Sequence, residues 1–519
     1  MSKMRLYARN LTANWIGYGA NLLLALVTSW FVFHLLGDVR YGVWSLMMSL
    51  TGYLGMVDLG LRPALYRYFN WYLGRGEQEK VNEVLSTSLA FFVGACVVLL
   101  AAGAVLGAFF GQVFPKAPPE YLGEVGVAIV LMAVNVGLSA VAGVFGALFE
   151  THERYDLSNA LDIAAAVVRS AGSILALYFG FGLVGLAVAC VSVTGLAGAG
   201  GYVLARRVFR DLAVRRCHVK RATLAELLRF GIPCFFSGVG IRMISLTSPL
   251  LIAWLIDMSF VGYYAMAMAL LDYGRALVQK ATTIFTPGIQ QSLAKEDLAG
   301  VRYMVPVVTR ATMGISVLVF VGLMAFGEDF LTLFYGAAPA AVAGPVVVIL
   351  AMAYLASSAS VPCAVALIGA GRVRLLASVV LAEAAANLGL TIALVAVARK
   401  GLPGVALGTA IPMVLFSGLT IAVLGSRHIG MSLTAFARRT VGYWGPATVI
   451  SGLMCVAIAK GLPFQSWGWF AIKVLLGCVV YVPVAWFVML PQEQRKQLRG
   501  WAAAAWSFGT GARPPTEGR

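Results

Sequence analysis

Residues 41–54 read YGVWSLMMSLTGYL, and residues 261–274, 220 positions later, read VGYYAMAMALLDYG. A second pair, GLVGLAVA from Gly182 and GLPGVALG from Gly401, is separated by 219 positions. Glycine and aliphatic residues dominate membrane helices, so either pair alone is weak. A nearly common offset between two unrelated pairs points to internal duplication, with chance likeness as the competing reading.

The sequence on either side of these stretches is too apolar for water. Of 519 residues, 60% are hydrophobic and 12% charged, with a mean hydropathy of +0.86; this exceeds what a soluble core needs and leaves too little polar surface to cover one. Apolar stretches of about 17–25 residues cross about 30 Å of hydrocarbon as helices, which satisfy their own backbone groups there. About 14 are present, near 12–36, 42–66, 85–111, 121–148, 157–180, 182–204, 230–256, 260–287, 304–327, 344–369, 376–398, 402–424, 443–460 and 467–490. The first is longer than a signal-peptide core and no A-x-A site follows it, so it is expected to be retained. Helices one to six then recur as seven to twelve; six being even, both copies share one topology about an axis along the membrane normal. The expected fold is an all-α integral membrane protein of about 14 transmembrane helices, two six-helix lobes in parallel repeat plus two C-terminal helices. The expected divisions are an N-lobe with its linker at 1–228, a C-lobe at 229–425, and helices thirteen and fourteen with a tail at 426–519. Two lobes facing a central cavity suit alternating access.

Orientation follows from the 39 Lys and Arg. With the N-terminus inside, five fall on external connections (Arg40, Lys116, Arg399, Lys400, Lys460), six within helices, and the other 28 on cytoplasmic segments. The asymmetry predicts a bacterial inner-membrane protein with both termini cytoplasmic. The densest run, ARRVFRDLAVRRCHVKR at 205–221, links helices six and seven. It reads as a topogenic loop facing lipid headgroups, and no nucleic-acid-binding module surrounds it. The seven cysteines lie in helices or that linker, so no disulfide framework is implied.

Several local phrases are more particular. LLGDVRYGVWSL leads into helix two and MVDLGLRPALYRYF, Met56 to Phe69, ends it; FETHERYDLSNALD enters helix five from Phe149, TPGIQQSLA follows helix eight from Thr286, and IGAGRVRLL leaves helix ten from Ile368. Together with the helix plan, they make the whole chain resemble the multidrug/oligosaccharidyl-lipid/polysaccharide (MOP) exporter superfamily, and within it the polysaccharide branch that includes Wzx-type O-antigen flippases. That resemblance implies a MATE/MurJ-like fold and a substrate class. Similar proteins move polyprenyl-diphosphate-linked oligosaccharides from the cytoplasmic to the periplasmic leaflet for cell-surface polysaccharide biosynthesis, without a cofactor. A polysaccharide polymerase and a chain-length regulator are the partners it suggests. Related lipid II flippases carry basic cavity residues, but these do not align position by position with this chain, and none is carried over.

Ionisable residues inside the membrane are the site candidates, because each costs roughly 2.5–3.5 kcal/mol near the midplane unless it meets a partner or water. Arg169 in helix five, Arg242 in seven and Arg275 in eight fall near mid-helix; Lys280 and Arg310 lie nearer the cytoplasm, and Lys473 lies where it can snorkel outward. A guanidinium matches diphosphate oxygens bidentately, so Arg169, Arg242 and Arg275 are candidate headgroup ligands. The plainer alternative pairs each with an acid or with backbone carbonyls. Asp272 precedes Arg275 by three residues and Asp58 precedes Arg62 by four, so each pair is expected to share a helix face and neutralise itself. Arg169 and Arg242 have no such neighbour and are the stronger candidates. Asp162 and Glu383, 221 positions apart, are with Asp272 the candidate acids for coupling to H+ or Na+. Their alternative role is charge pairing, Asp162 with Arg169 and Glu383 with Arg242. Asn135 and Asn387 are candidate sugar contacts or, equally, interhelical polar contacts. Trp15, Trp30, Tyr41, Trp44, Trp71 and Tyr72 read as an interfacial aromatic belt. Pro233, Pro249, Pro362, Pro412 and Pro483 lie inside the spans and read as kinks.

No phosphate-binding G-x-x-x-x-G-K-[ST] loop is present, so energy is expected from an ion gradient, the membrane potential or substrate supply. No G-x-S-x-G elbow occurs, and His34, His152, His218 and His428 lack ligand spacing, so no metal site is expected. A polymerase or ligase acting on lipid-linked sugars is the enzyme-class alternative; the longest external connections here, near 112–121 and 328–343, are short for it. A drug/cation antiporter of the same superfamily would favour an acid-rich cavity, whereas this interior has more arginines than unpaired acids. A transporter rather than an enzyme is therefore expected.

Overall fold

The computed structural model describes residues 3–152, 154–209, 211–283, 285–295, 297–463, 466–489 and 495; the side chain of Trp15, and the C-terminal tail apart from Arg495, lie outside the described residues. The helices are α1 (Lys3–Leu54), α2 (Leu61–Gly74), α3 (Gln78–Val113), α4 (Leu122–Thr151), α5 (Tyr155–Tyr178), α6 (Gly182–Val208), α7 (Arg221–Leu255), α8 (Met258–Thr283) and α9 (Thr286–Ala294). They continue as α10 (Leu298–Tyr335), α11 (Ala337–Ser358), α12 (Val361–Gly369), α13 (Val373–Ile392), α14 (Gly401–Met413), α15 (Ile421–His428), α16 (Leu433–Gly461) and α17 (Trp467–Val484). No strand occurs among the described residues.

Among those residues, 12 helical spans are long and apolar enough to cross a membrane. The first of them merges two expected crossings: α1 leaves helical dihedrals at Gly37 (φ 75°, ψ 172°), which divides it into two arms. The 26-residue α8 has the length but carries Asp272, Arg275 and Lys280, and is not among the 12. With the second arm of α1 and α8 included, the 14 crossings read from hydropathy are accounted for.

The prolines act in different ways. Pro233 and Pro249 lie inside α7, while Pro412 and Pro483 are each followed by a π-helical turn, Val414–Thr420 and Ala485–Met489. Each proline removes a backbone hydrogen bond from its helix. Pro362 departs from the expected interior kink. The chain stops being α-helical at Ser358, and Pro362 sits in the first turn of α12, where its missing N–H leaves nothing unsatisfied.

Contacts divide the chain into two compact units, residues 1–266 with 384–405 and residues 267–383 with 406–519. In the first, Gly103, Gly107 and Gly111 form a ribbon on α3 that brings its backbone against α4; a Cβ on Gly103 would lie 2.6 Å from the Ala133 Cβ, and one on Gly107 2.8 Å from the Gly126 oxygen. Such close approach is how membrane helices gain dispersion energy without a hydrophobic drive. Leu61, Leu65 and Phe69 of α2 pack with Val81 and Leu85 of α3 and with Val144, Leu148 and Phe149 of α4. In the second unit, Ile289 of α9, Val301 and Val305 of α10, Cys363 and Leu367 of α12 and Ile421 of α15 share one apolar cluster.

Lys473 does not snorkel outward. Only 1% exposed, its Nζ donates to Asp329 Oδ2 at 2.8 Å and to the Ala459 oxygen at 3.1 Å, because its face of α17 meets α10 and α16 and Asp329 supplies the countercharge. Tyr41 likewise leaves the aromatic belt that Trp30 and Trp71, both exposed, still fit. Its buried ring lies 5.4 Å from the Phe33 ring, and the bare Gly262 admits it.

Gly42 and Gly262, the second positions of the two quoted stretches, touch. A Cβ on Gly42 would fall 1.9 Å from the Met258 oxygen, and one on Gly262 3.2 Å from the Gly42 nitrogen. Gly42→Val is therefore expected to cost more than the roughly 1–3 kcal/mol of an ordinary overpacked core, because backbone rather than a side chain must yield. Thermal scans of detergent-purified protein check this, with the exposed Trp30→Ala as reference. An unchanged midpoint for Gly42→Val would contradict the contact.

Candidate functional site

The second arm of α1 ends in a 3-10 turn, Gly55–Asp58, after which Leu59 (φ 47°) and Gly60 (φ 74°) take left-handed conformations. Asp58 Oδ1 accepts a hydrogen bond from the Gly60 nitrogen at 2.9 Å, the local turn that aspartate favours. A Cβ on Gly60 would lie 2.1 Å from the Gly231 oxygen of α7, so this position needs both the positive φ and the absent side chain. The helix then restarts as α2, with Arg62 and Pro63 in its first turn. Asp58 and Arg62 consequently do not lie on one continuous helical face, and among the described residues Arg62 makes no ion pair. The expected self-neutralisation of this pair fails because the (i, i+4) relation presumes an unbroken helix.

Arg62 instead lies over Gly143 of α4, where a Cβ would sit 2.6 Å from its Nη2. It belongs to the walls of two adjoining cavities in the first unit. One, of about 350 Å³, is lined by Thr51, Gly55, Asp58, Asn135, Ser139 and Arg242 among others. The second, of about 240 Å³, is lined by Tyr66, Ser139, Glu150, Asp162, Arg169 and Thr194 among others. Arg62, Ser139 and Gly143 are common to both.

Helical spacing explains who reaches the cavities. Ser158, Asp162, Ala165 and Arg169, at intervals of four, three and four, make one stripe of α5 along the second cavity. Asp162 and Arg169 share that stripe, yet among the described residues neither they nor Arg242 form an ion pair. Arg242 comes from α7, which the Tyr53 hydroxyl ties to α1 through Thr247 Oγ1 at 2.5 Å. The amide oxygen of Asn135 is buried without a hydrogen-bond partner. Two of the three wall acids are engaged: Asp58 by the Gly60 nitrogen, and Glu150 by the Tyr66 hydroxyl, which donates to Oε2 at 2.8 Å. Three guanidiniums and three carboxylates thus share these walls. Asp58 and Glu150 keep their charge but already hold a neutral donor each, while the guanidiniums, none within ion-pair distance of an acid among the described residues, keep their paired N–H groups for an anion with several oxygens.

The other candidates have different surroundings. Arg275 on α8 pairs with Asp272, Nη2 to Oδ1 at 3.1 Å, and stands 5.8 Å from the Tyr354 ring centre, so the neutralisation read from their spacing is realised. Glu383, buried on α13, accepts from the Ser417 hydroxyl in the π-turn after α14, and the Ser417 oxygen in turn accepts from Ser360 Oγ at 2.5 Å. Its partner is a hydroxyl, and among the described residues it makes no ion pair. Asn387 is buried one turn further along α13. Arg310 stands over the Tyr443 ring at 4.9 Å. Sequence reasoning passes over Arg62, Tyr66 and Glu150. The signal for Arg62 is nonetheless present: Gly60 and Pro63 flank it, the punctuation that closes one helix and opens another.

Residues 7–286 match the family model described as "Polysaccharide biosynthesis protein". Over 492 residues the chain is 23% identical to "Uncharacterized membrane protein EpsK" of Bacillus subtilis (strain 168), covering 94% of this chain and 96% of that protein. Over 158 residues it is 25% identical to "Putative O-antigen transporter" of Shigella flexneri, covering 29% of this chain and 35% of that protein. Among solved structures it is similar to lipid II flippase MurJ in an inward closed conformation, with TM-score 0.75, 12% identity, and coverage of 92% of this chain and 98% of that one. It is also similar to an inward-facing multidrug resistance MATE family transporter of the MOP superfamily, with TM-score 0.70, 14% identity, and coverage of 79% and 94%. These likenesses show the fold that the resemblance implied. The matched segment exceeds half the chain and contains every wall residue of both cavities, and this multi-pass membrane protein belongs to the polysaccharide biosynthesis protein family.

Proposed function

We propose that the chain is a flippase that carries a polyprenyl-diphosphate-linked oligosaccharide from the cytoplasmic to the periplasmic leaflet of a bacterial inner membrane by alternating access, for cell-surface polysaccharide biosynthesis. One observation carries the reading: Arg62, Arg169 and Arg242 line two adjoining cavities of a membrane-spanning unit without ion pairs. Unpaired cations at membrane depth are costly, and a diphosphate offsets that cost with charge and several acceptor oxygens at once. The unpartnered amide oxygen of Asn135 supports a sugar contact there, while the lipid tail stays in the bilayer. Arg275 is the second unit's own candidate diphosphate ligand when Asp272 releases it, and protonation or Na+ binding at Asp272, Asp162 or Glu383, with Asn387 beside it on α13, supplies the coupling. The lobes are 1–228 and 229–425, with 426–519 appended and both termini cytoplasmic. A polymerase and a chain-length regulator act on the delivered glycan. The names borne by the lipid II flippase and O-antigen transporter relatives support this substrate class.

Cation antiport is the weaker reading, since the three wall acids are matched by three arginines, which repel a cation. The test is direct. Proteoliposomes holding the purified chain should move a fluorescent short-chain polyprenyl-diphosphate oligosaccharide between leaflets and leave monovalent cationic dyes where they are. Dye transport that is indifferent to the diphosphate lipid would sink the proposal.

A further inference from the structure

The basic connection between α6 and α7 is held rigidly. Asn82, Glu83, Ser86 and Thr87 make one polar face on the first turns of α3, and that face grips the main chain of residues 211–220. Asn82 Nδ2 donates to the Asp211 oxygen at 3.1 Å while its Oδ1 accepts from the Ala213 nitrogen at 3.0 Å. Ser86 Oγ accepts from the Arg215 nitrogen at 3.3 Å; Thr87 Oγ1 donates to the His218 oxygen at 3.2 Å and accepts from the Lys220 nitrogen at 3.1 Å. Glu83, 2% exposed, is paired with Lys80 at 3.0 Å and with Lys220. Leu212 plugs the apolar cluster beneath.

A loop whose only task is to set topology needs positive charge and nothing else. Here the main chain is fixed at five points and the charges are turned outward: Arg207, Arg215, Arg216 and Arg221 are exposed and make no ion pair among the described residues. Val214 and Val219, 42% and 44% exposed, stand between them. The spans of α3 and α6 both end at this strap, which places it at the membrane surface. Guanidiniums interleaved with exposed valines suit a layer of phosphates lying over acyl chains.

We infer that the clamped strap at residues 211–220 is a preorganised binding site for the phosphate headgroups of anionic phospholipids. The inference stands apart from the transported substrate. Native mass spectrometry of the full chain, loaded with phosphatidylglycerol or phosphatidylcholine, tests it. Arg215→Gln with Arg216→Gln should lower phosphatidylglycerol retention roughly 25-fold, at about fivefold per arginine. The equally basic pair Arg372→Gln with Arg374→Gln, at the start of α13 and outside the strap, should change it less than about twofold. Glu83→Gln separates preorganisation from bulk charge: it raises the net positive charge, so simple attraction strengthens binding, whereas a loosened clamp weakens it. Thr87→Val, which removes two strap hydrogen bonds, takes its place if that variant is not monodisperse. Equal losses for the two arginine pairs would overturn the inference. So would a clamp variant that retains phosphatidylglycerol at or above the unmodified level, or displacement of the lipid by millimolar inorganic phosphate.

Discussion

Arg169→Ala combined with Arg242→Ala is expected to reduce export of surface polysaccharide by at least about 100-fold while leaving the protein inserted at its usual level. The magnitude follows from the chemistry. Hydrogen bonds to charged groups contribute about 1.5–3 kcal/mol each, and tenfold corresponds to about 1.4 kcal/mol, so losing one such bond at each of two cavities removes two decades or more. Neither arginine is within ion-pair distance of an acid among the described residues, and Asp162, which feels Arg169 across the cavity wall, keeps Arg62 as a second nearby cation, so folding should be little disturbed. Glycan export in cells that depend on this chain, read beside membrane abundance, decides the matter. Undiminished export from an abundant double variant would remove these arginines from the headgroup site.

Lys473→Met should act on the other unit and on stability alone. It leaves Asp329 facing the bundle without its cation, and breaking a buried pair from one side costs about 3–5 kcal/mol. The thermal midpoint of detergent-purified protein should fall sharply. Adding Asp329→Leu should restore most of the loss, since apolar residues of similar volume commonly replace a buried pair without penalty. A double variant no more stable than Lys473→Met would show that the ion pair is not what holds α17 to α10.

The crossings were legible because hydrocarbon thickness fixes helix length, and the family because particular phrases stand at the ends of those helices. Arg169 and Arg242 were legible too, since an intramembrane cation without a same-face acid is conspicuous. Features that depend on which face meets which neighbour were not. Lys473 sits near a helix end in sequence, and only the packing of α17 against α10 and α16 reveals Asp329 beside it. Tyr41 has the position of a belt residue but is drawn inward by a glycine 221 positions away. Arg62 was hidden by an assumed helical continuity that Leu59 and Gly60 break.

That break has a mechanical consequence. A continuous helix tilts as a rod when bilayer thickness changes, carrying every side chain along its length. Here the two left-handed residues uncouple α2 from the arm before it, and Leu61, Leu65 and Phe69 seat α2 among α3 and α4. The guanidinium of Arg62 is therefore registered to that seat, while the preceding arm takes its own register from α7 and α8 through Tyr53 and Gly42, so a tilt of one segment is not passed rigidly to the other.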